Sequence, residues 1–115
     1  MQMTVNEEDW KLFRKKLPDW QEAYMERLNQ EYAALLAGSG AASDKFWELD
    51  RRIREDGKRV GVSARMSRSN MYHNITMLLV DGVISLSDLD DFSDDMKERM
   101  AQMTASEKFC GIIPL

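Results

Sequence analysis

A chain of 115 residues has the length of one domain and can bury one modest core. Its composition, 43% hydrophobic and 31% charged, is that of a globular protein and excludes a disordered polar chain. The net charge of −4 is unevenly laid out, at −2 over residues 1–43, +3 over 44–70 and −5 over 71–115.

The apolar spacing is helical almost from the start. Trp10, Phe13 and Leu17 recur at i, i+3 and i+7, Asn6 suits a helix N-cap, and Val5 is placed to staple onto Trp10. Thr4 with Glu7 offers a competing start. Pro18 has no N–H and restricts Leu17, which predicts a break or kink. Beyond it Trp20, Tyr24, Leu28, Tyr32 and Leu35 form a second stripe, which Gly38 ends. The run Gly38–Ser43 is the clearest loop in the chain.

Ser43 is a candidate cap for a third helix with Phe46, Leu49 and Ile53 on its inner face and Trp47 beside that stripe. This helix stops at Gly57 or runs on to Gly61, and the alternation in Val60–Met66 is compatible with a short extended segment. Ser67 is a candidate cap for a fourth helix, with Met66 and Met71 at staple spacing. In that helix Met71, Ile75, Leu78 and Leu79 face inward until Gly82 stops it. Ser85 and Asp88 form a capping box flanked by Ile84 and Leu89, so a short fifth helix starts at Leu86. Ser93 caps a sixth, with Asp94 and Asp95 set against its positive end and Met96, Met100 and Met103 as its stripe. The expected fold is all-α, a compact bundle of four to six helices forming a single domain over residues 1–108. An apolar tail, 109–115, either docks on the core or frays.

Catalytic and metal chemistry find little to work with. His73 is the only histidine and lies between Tyr72 and Asn74 on a helix, so a nucleophile has no evident base. Cys110 is the only cysteine, cannot form an internal disulfide and has no local activator. One His and one Cys cannot build a zinc site. A calcium loop starting at Asp91 has Asp91, Ser93 and Asp95 in place but Met96 where glycine is required. The glycines fit no phosphate-loop or dinucleotide pattern. A helix-turn-helix over 70–92 would place Asp88, Asp90 and Asp91 on its reading helix, where phosphates repel them. We therefore expect no catalytic residues, no metal, no cofactor and no small-molecule substrate. With no signal peptide and no apolar stretch longer than Tyr32–Ala37, a cytoplasmic location and no membrane contact are expected.

What remains is sorted charge. Arg51, Arg52, Arg54, Lys58, Arg59, Arg65 and Arg68 crowd one segment, and Asp88, Asp90, Asp91, Asp94, Asp95 and Glu98 another. This sorting supports two readings. In the first, the protein binds a protein partner or itself through these surfaces together with exposed Met96, Met100 and Met103. In the second, the basic residues contact a nucleic-acid backbone, which requires that they share a face and that the acidic segment does not cover them.

The stretches 10–16, 20–25, Asp44–Ile53, 67–71 and 88–93 together resemble a family of small uncharacterised bacterial proteins found largely on mobile genetic elements. Members sometimes carry the label "multidrug transporter", which this sequence, without a spanning segment, does not support. The resemblance covers residues 4–103 and implies a setting, an accessory factor of a mobile element, without transferring any functional residue. Residues 75–92 also resemble a short helical-hairpin motif of bacterial protein termini, a pattern that capping physics alone produces.

Overall fold

The computed structural model describes the backbone of residues 5–112 and the side chains of residues 5–104, so Cys110, the tail and the competing start at Thr4 lie outside the described residues or side chains. The described chain is an all-α bundle without strands. Helix α1 spans Glu7–Ala37, α2 Ala42–Asp56, α3 Val60–Ser63, α4 Met71–Val80 and α5 Asp94–Ile112, with a 3-10 turn at Leu86–Leu89 before α5.

Pro18 does not break the first helix, which continues through it for 31 residues. A proline inside a helix costs about 3 kcal/mol. Pro18 itself is exposed, and its neighbours offset that cost. Phe13 and Leu17 before it and Tyr24 and Leu28 after it are all buried, each worth ~1.5–3 kcal/mol when removed from water. Positions 13, 17, 20, 24 and 28 keep one helical phase across the proline, so a break would misalign half of the stripe. Asn6 caps the helix as expected, its Oδ1 accepting from Glu8 N at 2.8 Å and Asp9 N at 3.2 Å. Val5 and Trp10 are half-buried and both pack on the core.

The core joins the first half of α1 to α4, the 3-10 turn and α5. It holds Phe13, Leu17, Met71, Tyr72, Ile75, Leu78, Leu79, Ile84, Leu89, Phe92, Met96 and Met100. Trp20 sits over Phe92 at 6.3 Å between ring centroids and meets Phe13 edge-on at 6.4 Å, tying α1 to the segment before α5. No residue of α1 beyond Leu28 is buried. The end of α1 therefore projects from the core, and α2 folds back along it.

Helix α4 begins at Met71, with Asn70 at the N-cap, rather than just after Ser67. Met66 is largely exposed and makes no staple. The chain between Ser63 and α4 is instead fixed by long-range bonds. Gln21 Nε2 donates to Ala64 O (2.9 Å), and Asn74 Nδ2 donates to Arg65 O (3.2 Å). The expected extended segment is, over Val60–Ser63, a helical turn. Extended backbone there would leave donors unpaired, whereas the turn bonds Ser63 N to Arg59 O at 2.8 Å and Ala64 N to Val60 O at 3.0 Å.

Helix α4 ends where the glycine predicts. Gly82 has φ +73, and the Gly82 and Val83 amides return to the Leu79 and Leu78 carbonyls at 3.1 and 2.9 Å, the bond pair of a Schellman ending. Asp88 Oδ2 accepts from Ser85 N at 2.7 Å, and Ile84 and Leu89 are buried as a staple requires. The short element that Ser85 caps is a 3-10 turn, not an α-helix.

Helix α5 has an N-terminus that local pattern reading only half describes. Ser93 Oγ accepts from Met96 N at 3.2 Å, as a cap should. Ser93 is itself held by Asp9, which is 1% exposed. Asp9 Oδ1 accepts the Ser93 amide at 2.8 Å, and Oδ2 accepts its hydroxyl at 2.6 Å. One buried carboxylate thus ties the start of α1 to the start of α5.

Candidate interaction surfaces

The seven basic residues do not form one open face. Arg51 pairs with Glu48 and, at 2.8 Å, with Glu55. Arg52 reaches Glu31 on α1 at 2.7 Å and lies over the Tyr32 ring. Arg54 holds Asp50 at 3.1 Å, Arg59 approaches Asp81 at 3.9 Å, and Arg68 pairs with Glu7. The hydrogen bond from Arg51 keeps the Glu48 carboxyl below its ordinary range, and Glu48 and Glu55 together raise the guanidinium. Only Lys58 and Arg65 of the seven have no carboxylate in reach among the described residues. Spacing offers all seven equally; the carboxylates one turn away in sequence, and Glu7, Glu31 and Asp81 from other elements, separate them.

The acidic segment does not cover the basic one. Its ion pairs run to Lys16 from Asp91, to Lys97 from Asp94 and to Arg99 from Asp95. Its remaining acids cap or face solvent. The methionine stripe is corrected by the structure: Met96 and Met100 are 0% exposed, filling the core, while Met103 is 41% exposed. Methionine adapts to an irregular interior, and the face of α5 that carries these residues is the one turned to α4. Met96 and Met100 are therefore closed to a partner.

The exposed apolar surface lies on α2. No residue of this helix is buried. Phe46 and Trp47, packed edge to face at 4.9 Å, are 61% and 63% exposed, and Ile53 is 49% exposed. Of the expected inner face, Phe46 is turned outward and Ile53 is half exposed, while Leu49 alone stays half-buried. The reason is visible in what α2 does set against α1, a largely polar row of Lys45, Glu48, Leu49, Arg52 and Asp56, all half-buried. Lys45 Nζ donates to Leu36 O and Gly38 O at 3.1 and 3.0 Å, Arg52 bonds Glu31, and Tyr32 Oη donates to Asp56 Oδ2 at 2.6 Å. These bonds satisfy polar groups of both helices and leave Phe46 and Trp47 on the far side, with Ile53 at the edge, half exposed and bordering α1. Ala41 occupies the N-cap, without a side-chain bond, in place of the expected Ser43, and Gly57 is the stop.

The Tyr32–Asp56 contact has a measurable signature. Burial, then the hydrogen bond to Asp56, pushes the Tyr32 hydroxyl up to about 12. The folded state therefore favours the protonated phenol. Its stabilisation is complete below the unfolded value of ~10 and is lost as pH rises from there through about 12. Absorbance at 295 nm should show a phenol ionising at about 12, in step with loss of stability. Tyr32→Phe should remove that step and flatten the alkaline fall. Identical alkaline titrations of wild type and Tyr32→Phe at about pH 12 would contradict the contact.

A mostly apolar cavity of about 260 Å³ opens where α1, α2 and α3 meet, lined by Met25, Leu28, Tyr32, Ile53, Gly57 and Val62 among others. It is not legible in the sequence, because it depends on the turn at Gly57 that brings Val62 back against Leu28. His73 stands exposed on α4, beside a separate polar groove that also borders Lys58 and Arg65. Among the described residues no three His, Cys, Asp or Glu side chains come together as metal ligands would, and no helix is long and apolar enough to cross a membrane. Comparison with protein-family models, curated proteins and solved structures gives no match for this chain.

Proposed function

We propose that this chain is a non-enzymatic helical interaction protein that pairs with a second copy of itself through the outer face of α2. The observation that carries this reading is the exposure of Phe46, Trp47 and Ile53 on a helix with no buried residue. Full burial of such a side chain is worth ~1.5–3 kcal/mol, of which roughly half is still to be gained here, and an apolar patch rimmed by polar residues marks a docking surface. Size and charge select the occupant. An antiparallel approach about a two-fold axis at the level between Asp50 and Arg54 sets Asp50 of each copy against the opposite Arg54 and brings the two Ile53 positions together. It also carries the Phe46–Trp47 end of each helix toward the other copy's Gly57 turn, where the cavity of about 260 Å³ has room for one aromatic side chain. Knob and hole on one surface are what a self-complementary, two-fold interface requires. The helix carries net −2 over residues 42–50 and +1 over 51–56, so antiparallel pairing also opposes unlike charge.

Charge reversal tests the arrangement. Asp50→Arg alone, or Arg54→Asp alone, should put like charges across the axis and abolish association while leaving helix content and melting close to wild type. The double swap, Asp50→Arg with Arg54→Asp, should restore it. Association that survives both single reversals would contradict this geometry. The setting, an accessory factor of a bacterial mobile element working in the cytoplasm, is part of the same proposal and rests on the sequence resemblance.

The nucleic-acid reading is narrowed rather than favoured. Five of the seven basic residues are engaged by carboxylates, so the segment does not present the phosphate-tracking row that its spacing suggests.

A further inference from the structure

The groove between α3 and α4 is built differently from the α2 face. It has a volume of about 480 Å³ and is bordered by Lys58, Arg59, Arg65, Asn70, His73 and Asn74, with Ser67 at its edge. One acid, Asp81, borders it too and lies 3.9 Å from Arg59. Lys58 and Arg65, the two basic-segment residues with no carboxylate in reach among the described residues, are both on this groove. Every other cation of the segment has an acid beside it; these two do not.

From this we infer that the groove is a binding site for a phosphate-bearing ligand, held by Lys58 and Arg65. The walls are fixed before any ligand arrives. Asn74 Nδ2 donates to Arg65 O, Gln21 Nε2 donates to Ala64 O, and Ser63 Oγ donates to Arg59 O at 2.9 Å, pinning the chain that carries the cations. Met71 and Ile75, 0% exposed, anchor α4 below it. The Asn70 side chain makes no capping bond to α4, leaving its amide available to the groove. Charge-assisted bonds from lysine and arginine are the strong contacts to phosphate oxygens, and arginine matches them with two donors at once. The volume lies within the range of small-ligand pockets and exceeds what a bare phosphate needs, leaving room for an esterified group.

The phosphate can come from two sources, a free phosphate monoester or a nucleic-acid backbone, and the experiment separates them. Wild-type protein is titrated at constant ionic strength with inorganic phosphate and adenosine monophosphate, and separately with a twelve-residue oligothymidylate at two salt concentrations, by isothermal calorimetry and amide chemical shifts. Saturable phosphate binding that shifts the amides of residues 58–74, and that weakens at least about tenfold in Lys58→Ala with Arg65→Ala, supports the site. Lys15→Ala, an exposed cation elsewhere, is the control. Binding of both phosphate ligands without the oligonucleotide assigns the monoester. Tighter oligonucleotide binding that falls steeply with salt and is lost in the same double variant assigns the backbone. No saturable binding of any probe, or binding indifferent to the double variant, overturns the inference. Both substituted residues are exposed, and a melting curve like that of wild type confirms that the variant is folded.

Discussion

Replacing Asp9 by alanine should lower stability by about 3 kcal/mol, among the largest losses from any single polar substitution in this chain. The carboxylate is 1% exposed and accepts both the amide and the hydroxyl of Ser93 at 2.8 and 2.6 Å. Truncation leaves the amide and hydroxyl of half-buried Ser93 facing an apolar side chain, and a buried donor left without its partner costs ~1–3 kcal/mol. Relief of the carboxylate's own desolvation opposes this, but two stranded donors outweigh it. Asp9→Asn retains one acceptor and should lose about half as much. Urea unfolding followed by circular dichroism should show a lower midpoint at unchanged slope, and hydrogen exchange should place the local opening at the Met96 amide, where Ser93 caps α5. A midpoint for Asp9→Ala within ~0.5 kcal/mol of wild type, the range of neutral surface changes, would contradict this assignment.

Gly61→Ala should also be costly, by about 2 kcal/mol, with Gly61→Val worse. Alanine is ordinarily the better helical residue by ~0.5–1 kcal/mol. Here a Cβ would stand 2.7 Å from Tyr24 Cε2 and 2.8 Å from Tyr24 Cγ, with Tyr24 buried and α3 resting on its ring. The clash outweighs propensity, because the ring has nowhere to move without opening the α1–α3 contact. If that is the cause, Gly61→Ala and Tyr24→Leu should be strongly non-additive, the second change relieving much of the first. A stabilised Gly61→Ala, or full additivity, would contradict it.

The class of fold was legible, and so were most helix ends that depend on neighbours in sequence. The Asn6 cap, the Gly82 stop, the Ser85–Asp88 pairing and the Ser93 cap are each settled within four residues, and each is present. Pro18 misleads because its cost is local while its compensation is the phase of a stripe that runs from Phe13 to Leu28. That phase can be counted in the sequence and argues for a continuous helix. The orientation of α2 was not legible: its apolar stripe and its polar row both have helical spacing, and only Glu31, Tyr32 and the Leu36 carbonyl on α1 decide which faces inward. The same holds for the methionines, since spacing defines the stripe on α5 but not what lies against it. Asp9 carries no signal at all, as an acid in the first turn of a helix is expected whatever else it does.

Of the basic segment, sequence supplied the location and the fold supplied the selection. Arg51 and Arg54 are neutralised by acids three or four residues away, a pattern already present in the sequence. Arg52, Arg59 and Arg68 are neutralised from α1, from the end of α4 and from the first turn of the chain's first helix, which spacing alone does not reveal. Lys58 and Arg65 are left, and they share a groove.

Self-pairing through the outer face of α2 is tested most directly by sedimentation equilibrium of the wild-type chain over a wide concentration range. The interface offered by one short helix is small, so the pairing is of the weak, concentration-dependent kind. The expected result is an average mass that rises from 13.3 kDa toward twice that value and stays at the lower value at every concentration when Phe46 and Trp47 are replaced by serine. A wild-type chain that remains at 13.3 kDa up to millimolar concentration, or a serine variant that still associates, would contradict it.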